Sequence, residues 1–173
     1  MTQELIDLRN SILEGRYADA LEIVDELDWM SKKATLRNIK SFLVRMIIHL
    51  IKNQVEQRLT NSWAASISDS VVQIQDLNLH DNKTSHYVKR DEWESMLENA
   101  LAAAIRPASV EVLNGKLKPS QLSQMIDKSQ IVTTAQQLLA LTYEHPAGTL
   151  PDIIDEYLIQ LPGGEDWFEG RRE

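Results

Sequence analysis

The chain has 173 residues, of which 43% are hydrophobic and 25% charged, and its net charge is −8. Length and balance together fit one globular domain with a buried core and exclude a disordered chain, which lacks the apolar surface to offset its entropy. The absence of cysteine excludes disulfides, thiolate nucleophiles and zinc-thiolate sites, and suits a reducing cytoplasm.

Taken in order, apolar residues at helical spacing predict a first helix over Thr2 to Glu14, ended by Gly15. A second starts near Tyr17 with Tyr17, Ala20, Leu21, Val24 and Leu27 facing inward, so the two form an antiparallel hairpin. Gly15 to Glu22 resembles the second-helix opening of a tetratricopeptide repeat. No second copy follows at a period of about 34 residues, so local hairpin chemistry explains it. A long central helix is expected over 31–58, capped by Ser31 and carrying the densest apolar run. On it Leu36, Ile39, Leu43, Met46, Ile47, Leu50 and Ile51 cover one broad side. Asn38, Arg45, His49, Lys52 and Glu56 form a narrow polar stripe opposite.

The next helix presents Trp63, Ile67, Val71 and Ile74, and residues 80–86 read as a polar loop. A further helix from Val88 to Ile105 meets Pro107, which is expected to stop it. Between Pro107 and Pro119 either a short helix or a small hairpin suits the residues, and the helix is favoured because a lone hairpin has no strands to join. Ser120 to Tyr143 predicts a helix broken near Ser129 by the β-branched run from Ile131 to Thr134. Thr149 is expected to cap the last helix, which carries Ile153, Ile154, Tyr157, Leu158 and Leu161, and Pro162-Gly163-Gly164 ends it. The reading is therefore all-α: a single-domain bundle of six or seven helices over 1–162, wrapped around the 31–58 helix, with a charged tail over 163–173 in which Trp167 and Phe168 suggest docking.

Charge is unevenly placed. Lys32 to Arg58 carries +6, the remainder −14, and residues 1–31 alone −6. An acidic hairpin packed beside a basic helix accounts for this, and the surplus negative charge argues against nucleic acid. No window reaches the roughly 20 apolar residues of a membrane span, since even Phe42 to Ile51 contains Arg45 and His49. The acidic start Met1 to Glu4 has no signal-peptide order.

The residues His49-Leu50-Ile51-Lys52, Gln57-Arg58, Ser62-Trp63 and Ile67 resemble the core motif of the bacterial domain-of-unknown-function family 29. Its closing pattern resembles Thr149, Ile153-Ile154, Asp155 and Pro162. The sequence departs from the motif at Asn53, where an aromatic is usual, and in lacking a proline in the link. Pro107 to His145 has no counterpart in it. The resemblance implies an all-helical bacterial protein and no assigned activity.

Candidate chemistry is sparse. Arg45, His49 and Lys52 share a helix edge, and two cations beside an imidazole suit an anion better than a metal; Arg58 and Trp63 adjoin them, making these five the candidate binding residues. A rim histidine, with Arg45 and Lys52 paired to acids of the second helix, is the plainer reading. Glu22, Asp25 and Glu26, and Asp152, Asp155 and Glu156, resemble the magnesium-binding acids of all-helical nucleotide pyrophosphatases, yet they lie at opposite ends of the chain and read as solvated faces. His80, Asp81 and His86 share one loop and could meet a metal, but a third strong protein ligand is not evident and exposed loop histidines are common. No catalytic triad or phosphate loop is present, and no catalytic residue, metal or cofactor is assigned. The expectation is a cytoplasmic interaction or structural module that binds an unidentified protein or itself. A metal-dependent pyrophosphatase-like enzyme and a nucleic-acid-associated protein using the basic 32–58 helix are the alternatives.

Overall fold

A computed structural model describes residues 1–79 and 85–170. In order these form α1 (Gln3–Leu13), α2 (Tyr17–Glu56), α3 (Asn61–Asn78), α4 (Trp93–Glu111), a tight turn Val112–Gly115, α5 (Pro119–Met125), α6 (Lys128–Glu144), α7 (Leu150–Leu158) and the short α8 (Gly164–Phe168). The fold class is all-α. Contacts divide the chain into two compact units, Met1–Arg37 and Asn38–Glu173.

The first unit holds α1 and the opening of α2. The link turns at Gly15, whose φ of 73° lies where a Cβ is disfavoured, and the Arg16 N–H closes it on the Ser11 carbonyl at 2.8 Å. Only Ser11 and Ala20 are buried, with Leu8, Ile23 and Leu27 half-buried. The inward row expected from Tyr17, Leu21 and Val24 is instead exposed. Two helices share one contact face, so apolar residues on their remaining sides have nothing to pack on.

Helix α2 is longer than expected. Ser31 caps nothing, because the chain stays helical from Tyr17 through Glu56. Nothing between Trp29 and Lys33 breaks a helix: serine is tolerated within one, and no glycine or proline interrupts it. What reads as an acidic helix beside a basic one is a single run of helix, acidic first and basic later, with Asp19 in its first turn, where the helix dipole favours a negative charge.

In the second unit Ile39, Leu43, Met46, Ile47, Leu50 and Ile51 of α2 are buried, as their spacing requires. Helix α3 starts at Thr60, whose hydroxyl accepts from the Trp63 N–H at 3.1 Å, and buries Trp63, Ile67, Val71 and Ile74. It packs on α6 and α7, and α4 packs on α5 and α6. Helix α4 runs through Pro107 to Glu111. The bond lost there is the one Ala103 O would accept, and both residues lie on the exposed side, where water can take the carbonyl. The segment favoured as a separate helix is thus the end of α4 plus a left-handed turn, with Leu113, Asn114 and Gly115 at φ 50°, 57° and 76°.

The break expected near Ser129 falls at Ile126-Asp127. Asp127 caps α6 by accepting from the Gln130 N–H at 3.1 Å, and the β-branched run is helical. Thr149 does not cap α7; its hydroxyl turns back to the Pro146 carbonyl at 3.3 Å. Trp167 docks through its indole N–H on Asn61 Oδ1 at 3.3 Å, while Phe168 stays exposed. No described helix is long and apolar enough to cross a membrane.

Candidate functional site

The polar stripe of α2 is not a wet edge. Arg45 is exposed, His49 and Glu56 are half-buried, and Lys52 is buried. The cause is tertiary: towards its end α2 lies against Trp63 of α3 and Glu111 of α4, so cover rises from Arg45 through His49 to Lys52.

Arg45 and Lys52 pair with acids, but not with those of the first unit. Arg45 bonds Asp69 on α3 at 2.8 Å, both side chains nearly half exposed, a geometry worth about 0–1 kcal/mol. Lys52 Nζ meets Glu111 Oε2 on α4 at 3.3 Å and lies 4.8 Å from the centre of the Trp63 ring. The Arg58 guanidinium lies 4.6 Å from the same ring and is paired with Glu56 at 3.0 Å. Of the five candidate residues, then, Lys52, Arg58 and Trp63 form one cluster, a doubled cation–π contact bounded by Glu56 and Glu111. Arg45 stands outside it.

Backbone strain gathers at this cluster. Gln57, at the end of α2, has φ 54°. Leu113, likewise left-handed, donates its N–H to Glu56 Oε2 at 3.4 Å. Each such residue costs about 1 kcal/mol or more and persists only where its surroundings hold it. Here the holding groups are Glu56, which bridges Arg58 and the Leu113 amide, and Asn53. The Asn53 side-chain NH2 donates to Arg58 O at 3.0 Å and Pro162 O at 2.7 Å, tying α2 to the turn after α7. Asn53, a departure from the family motif, is therefore an anchor in this chain.

His49 Nδ1 is buried without a hydrogen-bond partner among the described residues. Burial foremost, then Lys52 and, less, Arg45, hold its pKa down at about 4 against the ordinary 6.5, with Glu111 opposing. The imidazole is neutral near pH 7 and adds no charge to the cluster. Because the folded value is the lower one, the unfolded chain holds the extra proton between about 4 and 6.5. Stability is therefore full above about pH 6.5 and falls as pH drops towards 4. Partial exposure screens the effect to about 1–2 kcal/mol. Urea midpoints measured from pH 7 to pH 4 should show this acid slope in the native protein and a flattened one in His49→Gln; equal slopes would place the titrating group elsewhere.

The other candidates do not assemble. His80 and Asp81 lie outside the described residues, and the His86 ring lies tilted against Tyr143, 4.8 Å between centres. Glu22, Asp25 and Glu26 belong to one unit and Asp152, Asp155 and Glu156 to the other. Burial, then Asp152, pushes the Asp155 carboxyl up. Among the described residues no three His, Asp or Glu converge on a metal position. Lys32, Arg37 and Lys40 are exposed as a nucleic-acid surface requires, but Arg45 is paired and Lys52 buried. An open groove of about 760 Å³ between α4, α5 and α6, lined in part by Glu98, Arg106, Lys128 and Thr133, carries no sequence signal; its lining residues come from three helices and only the packing joins them.

The domain of unknown function DUF29 matches residues 3–144. The chain belongs to that family. The match runs through Pro107 to Glu144, where the motif residues alone show no counterpart, and it stops before Thr149 and Pro162. No curated protein and no solved structure matches the chain.

Proposed function

We propose that this DUF29 member is a non-catalytic protein-interaction module of the bacterial cytoplasm, with Met1–Arg37 as its docking element. The observation that supports this most is the apolar surface left open there. Leu13, Tyr17 and Leu21 are each more than 60% exposed, and Val24 is 46% exposed. Single exposed apolar residues are ordinary, but a row on a two-helix unit too small to build its own core is the mark of a surface completed by a partner. The motif cluster agrees with the reading, since Lys52 and Arg58 are matched by acids and an aromatic ring and so hold elements together.

The test uses the full chain as bait in a lysate of its source cells, against a Leu21→Glu/Val24→Glu variant. A polypeptide retained in near-stoichiometric amount by the native protein and lost by the variant is the expected result. Equal recovery on both baits overturns the docking element. A thermal shift of several degrees with manganese plus a nucleoside triphosphate would overturn the module in favour of the pyrophosphatase-like enzyme.

A further inference from the structure

Trp29 is exposed on α2, and Lys33, one turn on, places its ammonium 4.9 Å from the indole centre. At about 100° per residue, positions three, four and seven from Trp29 share its side of the helix. Towards the N-terminus these are Glu26, Asp25 and Glu22. Towards the C-terminus they are Lys32, Lys33 and Leu36, with Arg37 adjoining. The charged ones are all exposed, and among the described residues none forms an ion pair with another side chain. About its one aromatic the face is thus antisymmetric at three and four positions, acid before and base after, and at seven an acid, Glu22, stands opposite the half-buried Leu36.

A two-fold axis through Trp29 turns that pattern into complementarity. In an antiparallel pair of α2 helices, the residue n positions before Trp29 in one copy faces the residue n positions after it in the other. Glu26 then meets Lys32 and Asp25 meets Lys33, each twice, while Glu22 meets Leu36, with Arg37 one residue beyond. A parallel pair would set acids against acids and bases against bases, so the charges fix the orientation as well as the partner. We propose that two copies of this chain associate through this face, α2 antiparallel to α2, with the Trp29 side chains packed at the crossing. The contact is isologous and closes on itself.

The inference rests on the interaction reading of Met1–Arg37 and names the partner for one side of it. The Trp29 face lies about a quarter-turn or more from the Tyr17–Leu21–Val24 row. The segment from Glu22 to Arg37 is only about 24 Å long at 1.5 Å per residue, so the pair buries less than a standard interface and should dissociate in the micromolar range. Its charged rim makes it weaken as salt rises.

Sedimentation of the full chain is the test. The expected species at about 100 µM and low salt is a dimer of the 19.8 kDa chain, with Kd raised roughly thirtyfold or more by Trp29→Ala. Two charge variants decide the geometry: one carries Glu22→Lys, Asp25→Lys and Glu26→Lys, the other Lys32→Glu, Lys33→Glu and Arg37→Glu. Each alone should be a folded monomer by sedimentation and circular dichroism, and an equimolar mixture should restore the dimer. A native chain that stays monomeric, a dimer indifferent to Trp29→Ala, or variants that do not associate on mixing would each overturn the proposal. None of these outcomes touches the lysate comparison of Leu21→Glu/Val24→Glu, so the dimer and the docking element fail separately.

Discussion

Asn78→Ala is expected to lower stability by about 3 kcal/mol, because it opens a buried polar cluster that leaves no partner idle. Asn78 is 1% exposed. Its side-chain oxygen accepts from the Val88 N–H at 2.7 Å, and its NH2 donates to Val88 O at 2.9 Å and to Tyr143 Oη at 3.0 Å. The Tyr143 hydroxyl donates to Val88 O at 2.6 Å and accepts from the Trp93 indole N–H at 2.8 Å. One cluster thus joins the end of α3, the segment before α4, the start of α4 and the end of α6. Removing the amide orphans the buried Val88 N–H outright. Tyr143→Phe should cost less, about 2 kcal/mol, since it orphans the indole N–H but leaves Asn78 bonded to Val88. Because the two side chains share partners, the double variant should lose less than the sum of the singles. Urea denaturation of the three variants checks this; a loss below about 1 kcal/mol for Asn78→Ala, or strict additivity, would contradict the network account.

That cluster also shows where the sequence stops being informative. Apolar spacing locates the buried faces of α3, α4 and the part of α2 from Ile39 on because burial of Ile39, Ile67 or Leu97 follows from period and hydrophobicity, whereas Tyr17, Leu21 and Val24 have the same spacing and stay exposed. A buried Asn78, or a Gln75 whose NH2 bonds the Thr142 and His145 carbonyls at 2.9 and 2.8 Å, looks like any surface amide until the carbonyls that need it are placed beside it. The same holds at the candidate site. Local spacing and family motif group Arg45, His49, Lys52, Arg58 and Trp63, and packing brings Lys52 and Arg58 together over the Trp63 ring while Arg45 pairs elsewhere. Neither signal reaches Glu111, which neutralises Lys52 from 59 positions away. Breakers mislead in both directions. Pro107 sits inside a helix because its orphaned carbonyl faces water, and Trp29-Met30-Ser31 looks like a boundary only if a serine is taken for a cap. That misplaced boundary hid the main feature of the first unit: acid and base lie on one run of helix and not on two packed helices.

The second large effect is expected at Gly163. It has φ 71°, and a Cβ built on it would lie 2.6 Å from Arg58 Cα and 2.9 Å from Leu59 N, closer than real Cβ atoms come to backbone. Neither neighbour can yield easily. Asn53 bonds the carbonyls of both Arg58 and Pro162, so the two strands of backbone that the methyl would push apart are held from the same amide. Gly163→Ala therefore combines a left-handed penalty of about 1–2 kcal/mol with an overpacking penalty of about 1–3. The total corresponds to a fall in Tm of roughly 10 °C for a chain of this size. Gly170 separates the two contributions. It has nearly the same φ, 73°, with no atom of the described residues within 4 Å of its Cβ position, so Gly170→Ala should show the backbone penalty alone. If the two alanines cost the same, the close approach of Pro162-Gly163 to Arg58-Leu59 does not exist in solution. If Gly163→Ala costs more, the excess measures how firmly the turn after α7 seats Arg58 over Trp63. In that case Asn53→Ala, which releases the clamp, should reduce the excess when combined with it.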